Sequence, residues 1–165
     1  MTNNLLNEEL AYSGKSAQST HLSLTSYNAN QIEEAEGSTF KDISATLDNN
    51  CINWIQVYGM KDTEVIRDIC EHFEINFLVL QDILNADHPT KFEEHEKYMF
   101  SISKAFRFNE SNREDALEQQ QIAVIQGSNF VLTFMECDSP LLSGISNAIK
   151  HDTLKIRSRQ SDYLF

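Results

Sequence analysis

Between Asp62 and Phe108 the hydrophobic period changes from about 3.6 residues to two, and Pro89 stands at the change. Asp62 can cap a first helix whose Val65, Ile66, Ile69, Cys70 and Phe73 fall on one face. A second helix is expected from an Asn76 cap to Asn85. Its Phe77, Leu80, Ile83 and Leu84 share one arc, with Gln81, Asp82 and Asn85 on the opposite side. His88-Pro89 stops that helix, because the residue before proline avoids the α region. From Tyr98 onward Tyr98, Phe100, Ile102, Phe106 and Phe108 point one way. Met99, Ser101, Ser103, Ala105 and Arg107 point the other.

The flanking segments add strands. His21–Tyr27 alternates, Ile32–Gly37 is a second short strand, and Cys51–Tyr58 is rich in β-formers and stops at Gly59. Phe40, Ile43 and Leu47 carry helical spacing for a short helix. Asn109–Glu118 reads as a polar loop. Beyond it Gln121–Ile125, the turn Gln126-Gly-Ser-Asn129 and Phe130–Phe134 form a hairpin. Asp138-Ser139-Pro140 starts a helix with Leu141, Leu142, Ile145, Ala148 and Ile149 on its apolar face, and Ser161 can cap another. Strands and helices mixed in this order, with hairpins among them, predict an α/β (α+β) sandwich. It has a mixed sheet of about six to seven strands and helices on both faces. Residues 1–20, rich in Asn, Ser, Gln and Glu, read as a disordered polar tail, and 21–165 as one α/β domain.

Composition narrows the function. Twenty-five acids against 13 bases give a net charge of −12. That disfavours a nucleic-acid or anionic-membrane surface and is compatible with divalent cations or with solubility alone. The sequence holds no apolar run of about 18 residues and no basic start of a signal peptide. Three cysteines, Cys51, Cys70 and Cys137, are too scattered for a disulfide framework or a Cys-x-x-Cys site.

Catalytic motifs are lacking. The five glycines are isolated, so there is no phosphate-cradling loop and no Gly-x-Ser-x-Gly elbow. His88, Glu93, Glu94, His95 and Glu96 have metal-ligand side chains, but strand alternation sends neighbours to opposite faces. The run Lys91–Glu96 reads as a solvated strand. Cys70 and His72, two apart on a helix, do not face each other. No enzyme is expected. Trp54 reads as core, and Asp82, on residues alone, as an ordinary solvent-facing helix acid.

The order of Asn53-Trp-Ile-Gln-Val-Tyr-Gly59, a helix, Leu78-Val-Leu-Gln-Asp-Ile-Leu84, Pro89-Thr-Lys-Phe-Glu-Glu94, Tyr98-Met-Phe100, Phe130-Val-Leu-Thr-Phe134 and Ser161-Asp-Tyr-Leu164 resembles one family. The segments look like the N-terminal cytoplasmic domain of the CorA-type magnesium transporters, a resemblance that runs from about Ile52 to Phe165. The resemblance implies a homopentamer in the inner membrane, with this domain on the cytoplasmic side, a long stalk helix and two C-terminal transmembrane helices. Residues 21–165 would then stop at the start of the helices leading to the stalk, and the isolated stretch is expected to be monomeric or weakly associated. Tyr58-Gly-Met-Lys61 differs from the family's pore-mouth Tyr-Gly-Met-Asn, follows a soluble strand, and is read as coincidence.

In the family a Glu-Asp pair in the second helix faces a carboxylate of the adjacent subunit, and magnesium bridges them. Asp82 matches the Asp and Gln81 stands where the Glu would be, so the implied regulatory Mg2+ site is a half-site. Asp138 lies near the position of a further family acid after Phe134. High cytosolic Mg2+ would hold the ring closed by relieving repulsion between acidic subunit faces. Two alternatives stand beside this. One is a relative that moves zinc or another divalent cation, and the other a free-standing interaction domain with no metal role.

Overall fold

A computed structural model describes residues 10–108 and 117–164. Its centre is a seven-stranded mixed sheet: β1 (His21–Tyr27), β2 (Ile32–Gly37), β3 (Ile52–Tyr58), β4 (Lys91–Glu94), β5 (Tyr98–Phe108), β6 (Leu117–Gly127) and β7 (Phe130–Met135), in the order β2-β1-β3-β7-β6-β5-β4. β3 and β7 pair in parallel, with Trp54 beside Val131 and Gln56 beside Thr133, and every other neighbour is antiparallel.

Strand alternation separates two apolar layers. Leu22, Leu24, Ile55, Val57, Phe100, Ile102, Ala123 and Leu132 form one with α1 (Phe40–Ser44), α2 (Thr63–His72) and α3 (Phe77–Leu84). Tyr27, Trp54 and Val131 face the other way, onto Ile149 of α4 (Ser143–Lys150) and Ile156 of the turns that follow. Helices therefore cover both faces, as the pattern of the sequence predicts, and Trp54 is core at 2% exposure.

The caps form as expected. Asp62 Oδ1 accepts from Val65 N at 3.4 Å, and Asn76 Oδ1 from Leu78 N at 2.8 Å. α1 is shorter than its apolar spacing suggests. Thr46 and Leu47 donate three residues back, to Ile43 and Ser44, which tightens and ends the helix, and Leu47 packs from the turn beyond. Pro140–Leu142 is a 3-10 turn capped by Ser139.

Three expectations change. First, residues 10–20 are not a loose tail: Leu10 and Tyr12 pack on the helix-rich layer, Ser13 N donates to Leu84 O at 3.1 Å, and Thr20 Oγ1 accepts from Asp62 N at 3.0 Å. Gly59, at φ 76°, makes room for this strap, since a Cβ there would sit 2.6 Å from Ser19 O. The rest of the expected tail, residues 1–9, lies outside the described residues. Second, β6 begins at Leu117, within the expected polar loop, whose residues 109–116 also lie outside them. At this end the period-two pattern outruns the core, and Phe106 and Leu117 are exposed. Third, Ser161 is no helix cap. It is 1% exposed and donates from Oγ to Gly127 O at 2.6 Å, pinning the final turn to the β6–β7 hairpin.

Candidate functional site

Asp82 sits in the last turn of α3, where Leu80, Ile83 and Leu84 hold the helix on the sheet and leave Asp82 on its outer flank. The chain leaves α3 at Asn85, turns through His88-Pro89 and returns as the edge strand β4. β4 pairs Lys91 with Ile102 and Glu93 with Phe100, so Lys91 and Glu93 share the face that carries α3. The register therefore delivers a lysine to the helix acid nine residues before it.

Lys91 Nζ lies 2.5 Å from Asp82 Oδ2, and His88 Nε2 lies 3.2 Å from Oδ1. The carboxylate is only 24% exposed and has a basic group on each oxygen. His88 Nδ1 also faces an acceptor, the Pro89 carbonyl at 2.9 Å. Lys91 is shared with Glu93 Oε1 at 3.0 Å and lies 5.6 Å from the centre of the Phe100 ring. Glu93 Oε2 reaches His95 Nε2 at 3.3 Å, and His95 stacks on Tyr98. Tyr98 closes the circuit by accepting from Asn76 N, at the other end of α3, at 3.0 Å. The hydrogen bond to Asp82 holds the Lys91 ammonium above its ordinary pKa, and the hydrogen bond from Lys91 holds the Glu93 carboxyl below its own.

The acid expected to be solvent-facing is therefore a half-buried, ion-paired one. Gln81 beside it is a half-buried neutral amide that adds no charge. Asp138 is not brought to this site. It lies beyond β7 on the Trp54 side of the sheet, where its Oδ1 accepts from Gln18 Nε2 at 3.0 Å and its N–H donates to Gln18 Oε1 at 2.9 Å. There it borders an open groove of about 440 Å³ with His21, Glu36, Gln56 and Tyr58. The pleat divides the run Lys91–Glu96 as expected, with Glu93 toward α3 and Glu94 away from it.

Sequence reasoning missed Lys91 as a partner of Asp82, and it singled out His88 as a helix stop and a metal-type side chain without pairing it to Asp82. A lysine two residues after the proline, at the first position of an edge strand, was the available signal, but only the β4–β5 register fixes which face it takes.

Among the described residues no group of three His, Cys, Asp or Glu side chains is placed to hold a metal. Magnesium takes about six oxygen ligands in a near-octahedral shell and retains several waters. One chain supplies one carboxylate at Asp82, which fits a half-site and nothing more. No helix of the described residues is long and apolar enough to cross a membrane.

Residues 49–165 match the family model described as "CorA-like Mg2+ transporter protein". The chain belongs to this family. The cobalt/magnesium transport protein CorA of Thermotoga maritima is 29% identical over 155 residues, which are 94% of this chain and 44% of that protein. This CorA-like chain thus spans less than half the length of that relative. The complete structure of the CorA magnesium transporter from Methanocaldococcus jannaschii shares its fold with a TM-score of 0.60. It is 18% identical over 87% of this chain and 41% of that one. The ZntB cytoplasmic domain from Vibrio parahaemolyticus aligns at a TM-score of 0.53 and 12% identity, covering 79% of this chain and 50% of that one.

Proposed function

We propose that this chain is the cytoplasmic, divalent-cation-sensing domain of a CorA-like magnesium transporter. The family match over residues 49–165 carries the reading. In it the domain sits on the cytoplasmic side of the inner membrane, in a homopentamer whose spanning helices belong to a part of the protein outside these 165 residues. Asp82, on the outer flank of α3, is one half of a Mg2+ contact whose other half is a carboxylate of the adjacent subunit. A net charge of −12 per chain makes close packing of copies costly, and a bridging divalent cation reduces that cost. Bound Mg2+ stabilises the closed ring, and its loss lets the subunits separate. The likeness to the ZntB domain, at 12% identity, speaks to the fold alone and does not move the expected ion from magnesium.

The test is Mg2+ protection of the full-length protein against limited proteolysis. Asp82→Asn is expected to raise the Mg2+ concentration needed for half-protection. An unchanged midpoint would remove Asp82 from the sensor.

A further inference from the structure

A carboxylate that is to receive a cation from solution is here already holding one. Lys91 Nζ contacts Asp82 Oδ2 at 2.5 Å, and His88 Nε2 takes Oδ1 at 3.2 Å. The lysine also has a second carboxylate in reach, Glu93 Oε1 at 3.0 Å. An ammonium carries three donors, so it can leave one acid and remain paired with the other. β4 supports that exchange, because Lys91 and Glu93 stand two residues apart on the same face of a paired strand while Asp82 approaches from α3. The four-carbon stem of lysine is flexible enough to swing between two oxygens that its head already touches.

We propose that Lys91 is a tethered counter-ion for Asp82, which a divalent cation must displace, and that Glu93 takes over the ammonium when it does. This rests on the reading of Asp82 as half of a cation contact. The lysine then sets the concentration at which that contact fills. Because it is covalently held beside Asp82, it competes at a high effective concentration that does not vary with the surroundings. With Lys91 shared between Asp82 and Glu93, the three groups together carry one net negative charge. With Mg2+ on Asp82 and Lys91 on Glu93 they carry one net positive charge to offer an acid on the neighbouring copy. The exchange requires no backbone movement, only a change of lysine rotamer.

The experiment titrates the full-length protein with MgCl2, where the adjacent subunit supplies the other half of the contact, and follows its protection from limited proteolysis. The proteins are the wild type, Lys91→Met, Lys91→Arg, Asp82→Asn and the Lys91→Met/Asp82→Asn double variant. Lys91→Met is expected to lower the Mg2+ midpoint about fivefold, the scale of a well-formed, partly exposed ion pair. Lys91→Arg, which keeps the positive charge, should move it far less, and the gain should vanish in the double variant. A Lys91→Met midpoint equal to or above the wild-type value, with Asp82→Asn still abolishing the response, overturns the tether and leaves Asp82 as the cation contact. A response that survives Asp82→Asn removes the cation reading itself, and the tether with it. Absence of any Mg2+ protection in both the wild type and Lys91→Met removes the cation reading, and the tether with it.

Discussion

Asn53 offers a sharp test of how the sheet is held together. It is the second residue of β3, between β1 and β7, and is 3% exposed. Its Oδ1 accepts from Ser26 Oγ at 2.9 Å and from Asp48 N at 3.1 Å, and its Nδ2 donates to Asp48 O at 2.8 Å. One amide thus joins β1, the turn before β3 and β3 itself. Asn53→Ala removes both of its polar atoms and strands the Ser26 hydroxyl, which is 2% exposed, along with the Asp48 main-chain groups. A buried group left without its partner costs about 1–3 kcal/mol. The Asp48 groups lie near the surface and can turn to water, so the Ser26 hydroxyl and the lost packing dominate. The expected total is about 3 kcal/mol, or roughly 6–12 °C in Tm for a chain of this length. Urea unfolding followed by the fluorescence of the single tryptophan, Trp54, reads it directly, since Trp54 is buried next to the altered residue. Asn53→Asp serves as the control: it keeps the acceptor, loses the donor and buries a charge, so it should be at least as damaging. A loss below about 1 kcal/mol for Asn53→Ala would show that water replaces these bonds freely and that the network is not structural.

Two pH dependences follow from the same physical account. Glu93 is held below its ordinary pKa by Lys91, so the stability it contributes is present above about pH 4.5 and is lost as the pH falls through its lowered folded value. Lys91→Met should flatten that acid limb in urea titrations run at successive pH values. An unchanged limb would mean that Lys91 is not the cause. Burial pushes the Cys70 thiol up to about 12, so its contribution is intact below its unfolded value and is lost as the pH rises toward 12. Cys70 should resist iodoacetamide at pH 8 in the folded chain and react only at the rate of unfolding, as mass spectrometry of the labelled peptide would show.

Most of the elements are written in short-range patterns. The α2 and α3 caps at Asp62 and Asn76, the break at Pro89 and the alternation from Tyr98 are each decided by residues within a few positions of one another, which is why a sequence shows them. The misses share the opposite property. The strap of residues 10–20 has no period. It is fixed by single contacts such as Ser13 with Leu84, Thr20 with Asp62 and Gln18 with Asp138, whose partners lie far along the chain. Ser161 looks like a cap because its local sequence suits one, yet its hydroxyl is taken by Gly127, 34 residues away. The site divides along the same line. Asp82 is legible as the polar flank of an amphipathic helix. Its ion pairing with Lys91 depends on how β4 registers against β5, and alternation alone places Lys91 on one face or the other without choosing which.

The acidity of the chain and the ion pairing around Asp82 then have separate physical roles. β2, an outer strand of the sheet, carries Glu33, Glu34 and Glu36, all exposed, with Glu34 held by Lys150 of α4 at 3.0 Å. Charged side chains on an open strand discourage another chain from extending the sheet there. At the opposite edge, β4 spends its charge differently: Lys91 lies between Asp82 and Glu93, and each acid has a histidine on its other oxygen. The net charge of −12 raises the local concentration of any cation near the surface, whichever acid it finally meets. Occupancy at Asp82 is decided one step later, by whether that cation outcompetes an ammonium already in contact. A count of acids therefore says little about cation affinity in this domain. The arrangement of one lysine between two carboxylates says more, because it fixes both what must be displaced and where the displaced charge goes.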